Sequence, residues 1–503
     1  MGRSLSLRSL AYILFPQRLH SVLQKIETSD IGSRLIKGVF WSMAGSVASR
    51  GLMLCATILV ARMLGKTGYG EFSMIQSTVG FFGVLAGFRL GLMANKYVAE
   101  LRNSDPARAG RIIGLSSAIA ALTGGVMAAG LLVFAPWLAE NTLNAPHLAD
   151  VLRVGAIMLF LNAINGVQTG TLAGFEVFRT IAYVNLFVGL VSFPILVAGA
   201  YFGGLPGAVG GLAVNLCFNW LFNQLALRRE AKCYTVPLSF NNCQRERSVL
   251  ISFSLPVALS SIVVPPAMWG CRALLANQPN GYDELGIFAA AIIFQMPLLF
   301  IGGTVSAPLL SMVSNAGESI SDKMNAVNIL SSWIIGVTAA VPLLCFPEIT
   351  QVLLGRNFAG YDFKVTFSIV IFYTCITLFL SGLSRTLVAR NLLWWGFFSN
   401  LFWALVLIPS ALFFIQLGAI GLAASFAIAY VLNVVVLLPP LLKKNLVKKE
   451  MLFSRNSLLI WFVLFFLVLL NILGAPLSFR AIVFLPCVLS SVALFRQVTR
   501  NVL

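Results

Sequence analysis

Read for hydrophobicity alone, the chain alternates long apolar runs with short polar breaks. The runs have the length of membrane spans, about 20 mostly apolar residues each. On that measure spans fall near 36–62, 70–94, 110–135, 150–174, 178–202 and 206–228, and a polar, basic break covers Arg228–Arg247. A second set follows near 248–276, 285–313, 325–346, 365–389, 392–416 and 418–441. After the Lys443–Arg455 stretch come two more, near 457–473 and 478–496. Inside a bilayer the backbone N–H and C=O groups find no water, so each run is expected to satisfy them as a helix. The pattern therefore predicts an all-α polytopic membrane protein of about 14 transmembrane helices.

Composition agrees with the pattern. The chain is 58% hydrophobic and 10% charged, with a mean hydropathy of +0.90. That charge is too sparse for the surface of a soluble protein of 503 residues. A net charge of +18 would suit a nucleic-acid binder. Most Lys and Arg residues, however, sit in the gaps between apolar runs, where the positive-inside rule places them, so no nucleic-acid partner is expected. With the N-terminus inside, 26 of the 35 fall in inner segments. Seven fall outside (Arg62, Lys66, Arg153, Arg272, Arg356, Lys364 and Arg480), and Arg50 and Arg89 lie within spans. This asymmetry puts both termini in the cytoplasm and supports an even number of spans. Residues 1–34 read as a basic cytoplasmic tail whose short apolar run, Leu10–Phe15, is no cleavable signal. Eight scattered cysteines and two histidines, His20 and His147, form no C-x-x-C or Cys/His cluster. Neither a metal site, a disulfide framework nor a cofactor is expected.

The chain also repeats itself. Thr171-Leu172, Asn185-Leu186-Phe187 and Pro194 answer Thr386-Leu387, Asn400-Leu401-Phe402 and Pro409 at a constant offset of 215. Gly70-Glu71-Phe72 answers Gly286-Ile287-Phe288 at an offset of 216, and Gly207-Ala208-Val209-Gly210 answers Gly418-Ala419-Ile420-Gly421 after a four-residue deletion. The expected organisation is an N-lobe over 35–230, a linker over 231–247, a C-lobe over 248–442, and a basic loop with two further spans over 443–503. Each lobe holds six spans, so both lobes run the same way about an axis along the membrane normal. Parallel repeats of this kind place a transported substrate between the lobes.

Polar groups within the spans are the candidate chemistry. Arg50 lies near the centre of the first span, where an arginine costs roughly 2.5–3.5 kcal/mol to insert, so it is expected to face a wet cavity or an ion-pair partner. Arg89 either lines the same cavity or snorkels to the cytoplasmic interface. Arg272 and Arg153 lie near outer span ends, where both readings hold. Arg385 and Arg390 sit at a cytoplasmic end and read as orientation-setting charges. Asn215, Asn219 and Asn223 share one face of the sixth span, and Asn162, Asn165 and Thr169 share one face of the fourth. These amides either bond between helices, worth about 0.6 kcal/mol each, or meet a hydroxyl-rich substrate. Pro265-Pro266 interrupt the seventh span. The 17 acidic residues fall almost entirely in loops or at span ends.

Three segments carry a family resemblance. Asn280 to Ala291 (NGYDELGIFAAA), followed by Gln295 and Phe300-Ile301-Gly302, resembles the seventh-to-eighth-span signature of bacterial oligosaccharide flippases. Ala61 to Phe72 (ARMLGKTGYGEF) resembles the corresponding first-half loop, and Gly91 to Glu100 resembles the close of the second span. Many relatives carry Trp after the glutamine, where this chain has Met296. That family belongs to the MOP superfamily, shared with MATE drug exporters and lipid II flippases. The resemblance implies translocation of an undecaprenyl-pyrophosphate-linked oligosaccharide, of the O-antigen type, across the inner membrane. It adds Gln295 to the cavity candidates, and polysaccharide polymerase and chain-length proteins to the membrane lipids as expected partners. The alternative within the superfamily is a MATE-type drug or cation antiporter, which generally wants a buried carboxylate; none stands at mid-span. An enzyme would need catalytic acids or bases at the membrane face, and a polymerase usually a large outer loop; no outer loop is longer than about twenty residues and no D-x-D stands in a loop, so no enzyme is expected.

Overall fold

The computed structural model describes residues 30–87, 90–238, 243–246, 262–306 and 322–482 apart from 391, 445 and 453, with isolated positions over 309–313 and 484–494. Side chains are described from Gly45 onward, a few positions excepted. The helices are α1 Asp30–Gly87, α2 Leu90–Leu101, α3 Pro106–Trp137, α4 Ala149–Gly174 and α5 Phe178–Cys233. After the linker come α6 Val264–Ala276, α7 Gly281–Gly303, α8 Asp322–Cys345, α9 Glu348–Leu354 and α10 Tyr361–Ala389. The last are α11 Leu393–Phe414, α12 Gly418–Lys443, α13 Lys449–Leu452 and α14 Arg455–Ile472. No strand occurs among the described residues.

Among the described residues, nine helical stretches are long and apolar enough to cross a membrane. Three of these hold two expected spans each, joined at Gly65 in α1, at Gly204 in α5 and at Gly418 between α11 and α12. The first part of the expected span 248–276 lies outside the described residues. Helical residues 477–482 open the last expected one. The breaks come from glycine. Gly204 (φ 53, ψ −134) and Gly418 (φ 61, ψ −136) adopt one conformation, which side chains with a Cβ rarely enter. By backbone conformation the counterpart of Gly418 is thus Gly204, 214 positions earlier, and the repeat needs no four-residue deletion there. Two boundaries also shift. α7 opens at Gly281 and α10 at Tyr361, each four residues before its expected start, and the short α9 occupies part of the intervening loop.

The helices pack in two groups. In the first, α1 lies along α5 and α4, and α3 lies on α4; in the second, α10 is central, against α8, α7, α12 and α14. The groups meet where α1 crosses α7. A Cβ at Gly70 would lie 2.0 Å from the carbonyl oxygen of Tyr282, and a Cβ at Gly286 would lie 2.0 Å from that of Lys66. Lys66 and Tyr282 are 216 positions apart, as are Gly70 and Gly286, so this is one contact made twice about a two-fold axis. Thr67 and Asp283, also 216 apart, hydrogen-bond to each other at the axis itself. Glycine at both positions lets the two backbones touch, which forms a seal between the groups.

The C-terminal segment is fastened to the second group by a buried cation. Arg480, 3% exposed, donates from Nη2 to Glu348 Oε1 at 2.6 Å and from Nη1 to Glu348 Oε2 at 3.2 Å. The same Nη1 reaches Cys345 O and Asn471 Oδ1, and Asn471 in turn donates to Leu344 O. Lys364 Nζ stands 3.6 Å from Glu348 Oε1. Partial burial pushes the Glu348 carboxyl up. The bonds from Arg480, its own backbone amide and the charges of Arg480 and Lys364 outweigh that and hold it below the ordinary carboxylate range. A carboxyl lowered on folding stabilises the fold above its unfolded value, and that contribution disappears as the pH falls through the lower folded value. Because the carboxylate is 44% exposed and so partly screened, Glu348→Gln is expected to cost about 1–2 kcal/mol at pH 7. Thermal melts at pH 7 and pH 4 check this: the deficit of a few degrees should shrink at the lower pH.

Candidate functional site

Directly behind the seal, between the two groups, lies a cavity of about 450 Å³. Each helix gives it one face. The second limb of α1 contributes Tyr69, Ser73, Gln76, Ser77, Gly80 and Val84, spaced i, i+4, i+7, i+8, i+11 and i+15. α6 contributes Pro265, Met268 and Arg272, and α7 contributes Ala289, Ile292, Ile293 and Met296. Thr57 closes it from the first limb of α1. Trp269 Nε1 donates to Thr78 Oγ1 at 3.0 Å and its ring stacks on Phe81, so α6 and α1 also touch along one wall.

The seal is reinforced by polar contacts. Tyr282 Oη donates to Leu143 O at 2.8 Å, and Asn277 Nδ2 to Thr142 O at 2.7 Å, tying the second group to the α3–α4 turn. Glu284 Oε2 accepts from the backbone N–H of Ala419 at 2.8 Å. Glu71 Oε1 stands 2.6 Å from His147 Nε2 within the first group.

Of the expected site residues, Arg272 lines the cavity. Its Nε is buried with no hydrogen-bond partner, and the hydroxyls of Tyr373 and Tyr69 lie within electrostatic range of its guanidinium. Arg50 is exposed, and its guanidinium lies 4.5 Å from the ring centroid of Phe300 on α7, across the gap between the groups. It stands seven residues before Thr57 and shares that face of α1. The structure therefore brings Arg50 and Arg272 to one inter-group space. Arg89 lies outside the described residues. Arg153 is exposed in the first turns of α4, where its Nη1 is 2.7 Å from Asp150 Oδ1, and it does not line the cavity.

The asparagines bond within the first group. Asn165, 6% exposed, donates to Leu216 O at 3.3 Å. Asn215 Oδ1 accepts from Ser192 Oγ at 2.5 Å, and Asn219 Oδ1 from Asn223 Nδ2 at 2.7 Å. Asn162 is exposed on α4. Gln295 is half-buried on the face beside Met296, and Met296 is the one of the pair that lines the cavity. Pro265 and Pro266 occupy the first turn of α6, where a missing N–H leaves no bond unmade. Arg385, expected among the orientation-setting charges, is 6% exposed. Its partners among the described residues are neutral: Asn328 Oδ1 and O, Ser306 Oγ and Ser381 Oγ.

Two features went unread in the sequence. Ser73, Gln76 and Ser77 form a polar i, i+3, i+4 face inside the apolar run 70–94, on the same helical period as the asparagine stripes. A second cavity, of about 300 Å³, lies within the second group between α6, α10, α11 and α12. Neutral polar groups line it, among them Thr377, Ser384, Asn400 and Asn433. No cluster of metal-binding side chains occurs among the described residues.

Residues 35–314, more than half of the chain, match the family described as polysaccharide biosynthesis protein. The chain belongs to this family. Among its curated relatives is the lipid III flippase of Escherichia coli (strain K12), 25% identical over 311 residues that cover 61% of this chain and 73% of that protein. Among solved structures, the lipid II flippase MurJ in an inward closed conformation superposes with a TM-score of 0.66 at 17% identity, covering 92% of this chain and 99% of that one. An inward-facing multidrug resistance MATE family transporter of the MOP superfamily also gives 0.66, at 14% identity, over 81% of this chain and 96% of that one. At these identities the structural likeness establishes the fold alone; the apolar helices of membrane-spanning length make the chain a multi-pass membrane protein.

Proposed function

We propose that the chain is a flippase for a lipid-linked oligosaccharide, working by alternating access through the cavity between its two helical groups. The observation that carries the reading is Arg272, a cation with an unpartnered Nε, lining a cavity shut on one side by the Gly70–Gly286 seal. The cargo is an undecaprenyl pyrophosphate bearing an O-antigen-type repeat unit, and guanidinium groups suit its phosphates. The two groups act as an N-lobe over 35–230 and a C-lobe over 248–442, joined by the linker 231–247, with 1–34 as a tail and 443–503 as an accessory hairpin. The charge asymmetry supports an inner-membrane orientation with both termini cytoplasmic, which puts the seal on the periplasmic side. The chain moves its cargo without covalent chemistry and hands it to polymerase and chain-length proteins outside. Exporting two negative charges from the inside-negative compartment, down a potential of about 100 mV, is favourable by roughly 4.6 kcal/mol, so the membrane potential itself supplies drive.

Surface-glycan analysis of a deletion strain tests the reading. Deletion should abolish the long-chain polysaccharide while lipid-linked units accumulate on the cytoplasmic leaflet, with wild type restoring it. Arg50→Ala should restore about a tenth of the glycan or less, the effect of losing about 1.4 kcal/mol of binding, and Arg50→Lys more. Unchanged glycan with reduced drug efflux would instead support a MATE-type antiporter, a reading disfavoured by the lack of any carboxylate among the described cavity-lining residues.

A further inference from the structure

One wall of the second cavity, inside the second helical group, carries donors without acceptors. Trp403 on α11 borders the cavity and is 2% exposed, and its indole Nε1–H is buried with no partner. Buried tryptophan N–H groups usually find an acceptor, and leaving one unmade is unfavourable. One turn earlier on α11, Ser399 Oγ donates to Asn433 Oδ1 on α12 at 2.7 Å. That bond commits the amide oxygen of Asn433, 4% exposed, and leaves its Nδ2 to donate on the same wall. The hydroxyl protons of Thr377 and Ser381 are spent on Tyr373 O and Leu378 O. The repeat shows that this wall is no by-product of the fold. At the offsets that relate Asn185 to Asn400 and Gly204 to Gly418, the counterparts of Trp403, Tyr430 and Leu437 are Val188, Leu216 and Asn223. In the first group Asn223 donates to Asn219 Oδ1, the counterpart of Asn433, so the two amides there satisfy each other.

The lining also fixes the class of ligand. No charged side chain borders this cavity among the described residues, and Arg385, which reaches Ser381, is committed to Asn328 and Ser306. A phosphate, a carboxylate or a cation would lose its hydration there with no counter-charge, so the ligand is neutral. The unpaired groups are donors, so its polar end is an acceptor with no proton of its own, which is a carbonyl oxygen. Val264, Leu380 and Leu437 give the cavity an apolar side that suits a methyl group. Asn400 and Ser384 carry both donors and acceptors, as ring hydroxyls require. A volume of about 300 Å³, at the low end for small-molecule sites, suits one sugar ring. Val264 lines this cavity and its neighbour Pro265 lines the one between the groups, so α6 is the wall they share. We infer that the second cavity binds a neutral 2-acetamido sugar, whose amide carbonyl accepts from Trp403 Nε1 and Asn433 Nδ2. The sugar comes either from the transported glycan, a source that rests on the flippase reading above, or from a free glycoside.

The test uses the full chain in lipid nanodiscs and two pairs of probes. One pair is the methyl glycosides of N-acetylglucosamine and glucose; the other is farnesyl-diphosphate-linked disaccharides ending in the same two sugars. Wild type should bind the acetamido member of a pair about tenfold tighter, since glucose offers no carbonyl to the two donors. Preference within the lipid-linked pair alone assigns the site to the cargo, and preference within the methyl glycosides assigns it to a free sugar. Trp403→Phe keeps the ring and removes the N–H; it should weaken the acetamido probe about fivefold, the worth of one neutral hydrogen bond, and the glucose probe by less than about twofold. A Cβ at Gly396, on the cavity wall, meets nothing within 4 Å. Gly396→Leu should therefore fill the cavity without disturbing the helices and abolish the preference. Equal affinities within both pairs, or equal weakening of both sugars by Trp403→Phe, overturns the inference and leaves the flippase reading standing. Failure of both lipid-linked probes to bind, with a lipophilic cation binding instead, overturns the flippase reading, and the methyl glycosides then decide the site by themselves.

Discussion

Gly286→Val is expected to cut transport by about tenfold or more, and Gly70→Val to match it, although neither residue lines the cavity. A Cβ at either position would lie 2.0 Å from a carbonyl oxygen, and the obstacle is backbone on a packed helix rather than a movable side-chain tip. Overpacking of this kind costs about 1–3 kcal/mol. The cost falls only on the conformation in which the two turns touch. A penalty of about 1.4 kcal/mol confined to one state moves the equilibrium tenfold away from it, so the variants should favour the state with the seal open. Two readings separate this from misfolding. A cysteine placed at Ser73, on the cavity wall, should react faster with a membrane-impermeant maleimide added from outside, while transport falls. Gly130→Val, where a Cβ meets nothing within 4 Å, should change neither. Unchanged labelling in Gly286→Val would mean that the contact is no gate.

The same two glycines show what the sequence disclosed and what it withheld. Helix type, order and approximate bounds were legible because bilayer thickness and backbone hydrogen bonding leave little choice. The repeat was legible as an offset, and Gly70 and Gly286 stood out as its matched pair. Nothing local in the sequence says that each touches the partner of the other, because that contact exists only once the lobes are assembled. Arg50 could be read as facing a wet space from the cost of burying it, whereas Arg272, near a span end, left both readings open, and only the assembled helices place it on the cavity wall. Arg385 could not be placed, because four neutral acceptors on three separate segments satisfy it, a solution without a sequence signature. The Ser73–Gln76–Ser77 face obeys the same 3.6-residue period as the asparagine stripes. It was masked by the short side chains around it, whereas asparagines announce themselves. Arg153 shows the opposite error of emphasis: a charge near a span end, paired at the surface with Asp150, carries no information about a cavity.

Joining Thr67 to Asp283 should stop transport and releasing them should restore it. The two residues occupy one position in the two repeats and meet on the axis that relates them, their side chains already hydrogen-bonded. Rotation of the lobes about any line that does not pass through this contact changes their separation, and opening the seal to the periplasm requires that they part in each cycle. Replacing both by cysteine puts two thiols where the hydroxyl and carboxylate now touch, and a disulfide closes between them if their Cα atoms come within about 4.4–6.8 Å. After oxidation, transport by the double variant should fall to about a tenth or less of its reduced value, because one covalent bond holds the closed state against a conformational gap of only a few kcal/mol. Reductant should recover it. Each single variant, having no partner thiol at the axis, should be indifferent to oxidant. The bond itself can be read on non-reducing gels after cleavage between the lobes, in the linker 231–247. If the disulfide forms and transport continues, the lobes do not separate at the seal, and the cargo must cross by a path that leaves these turns in contact.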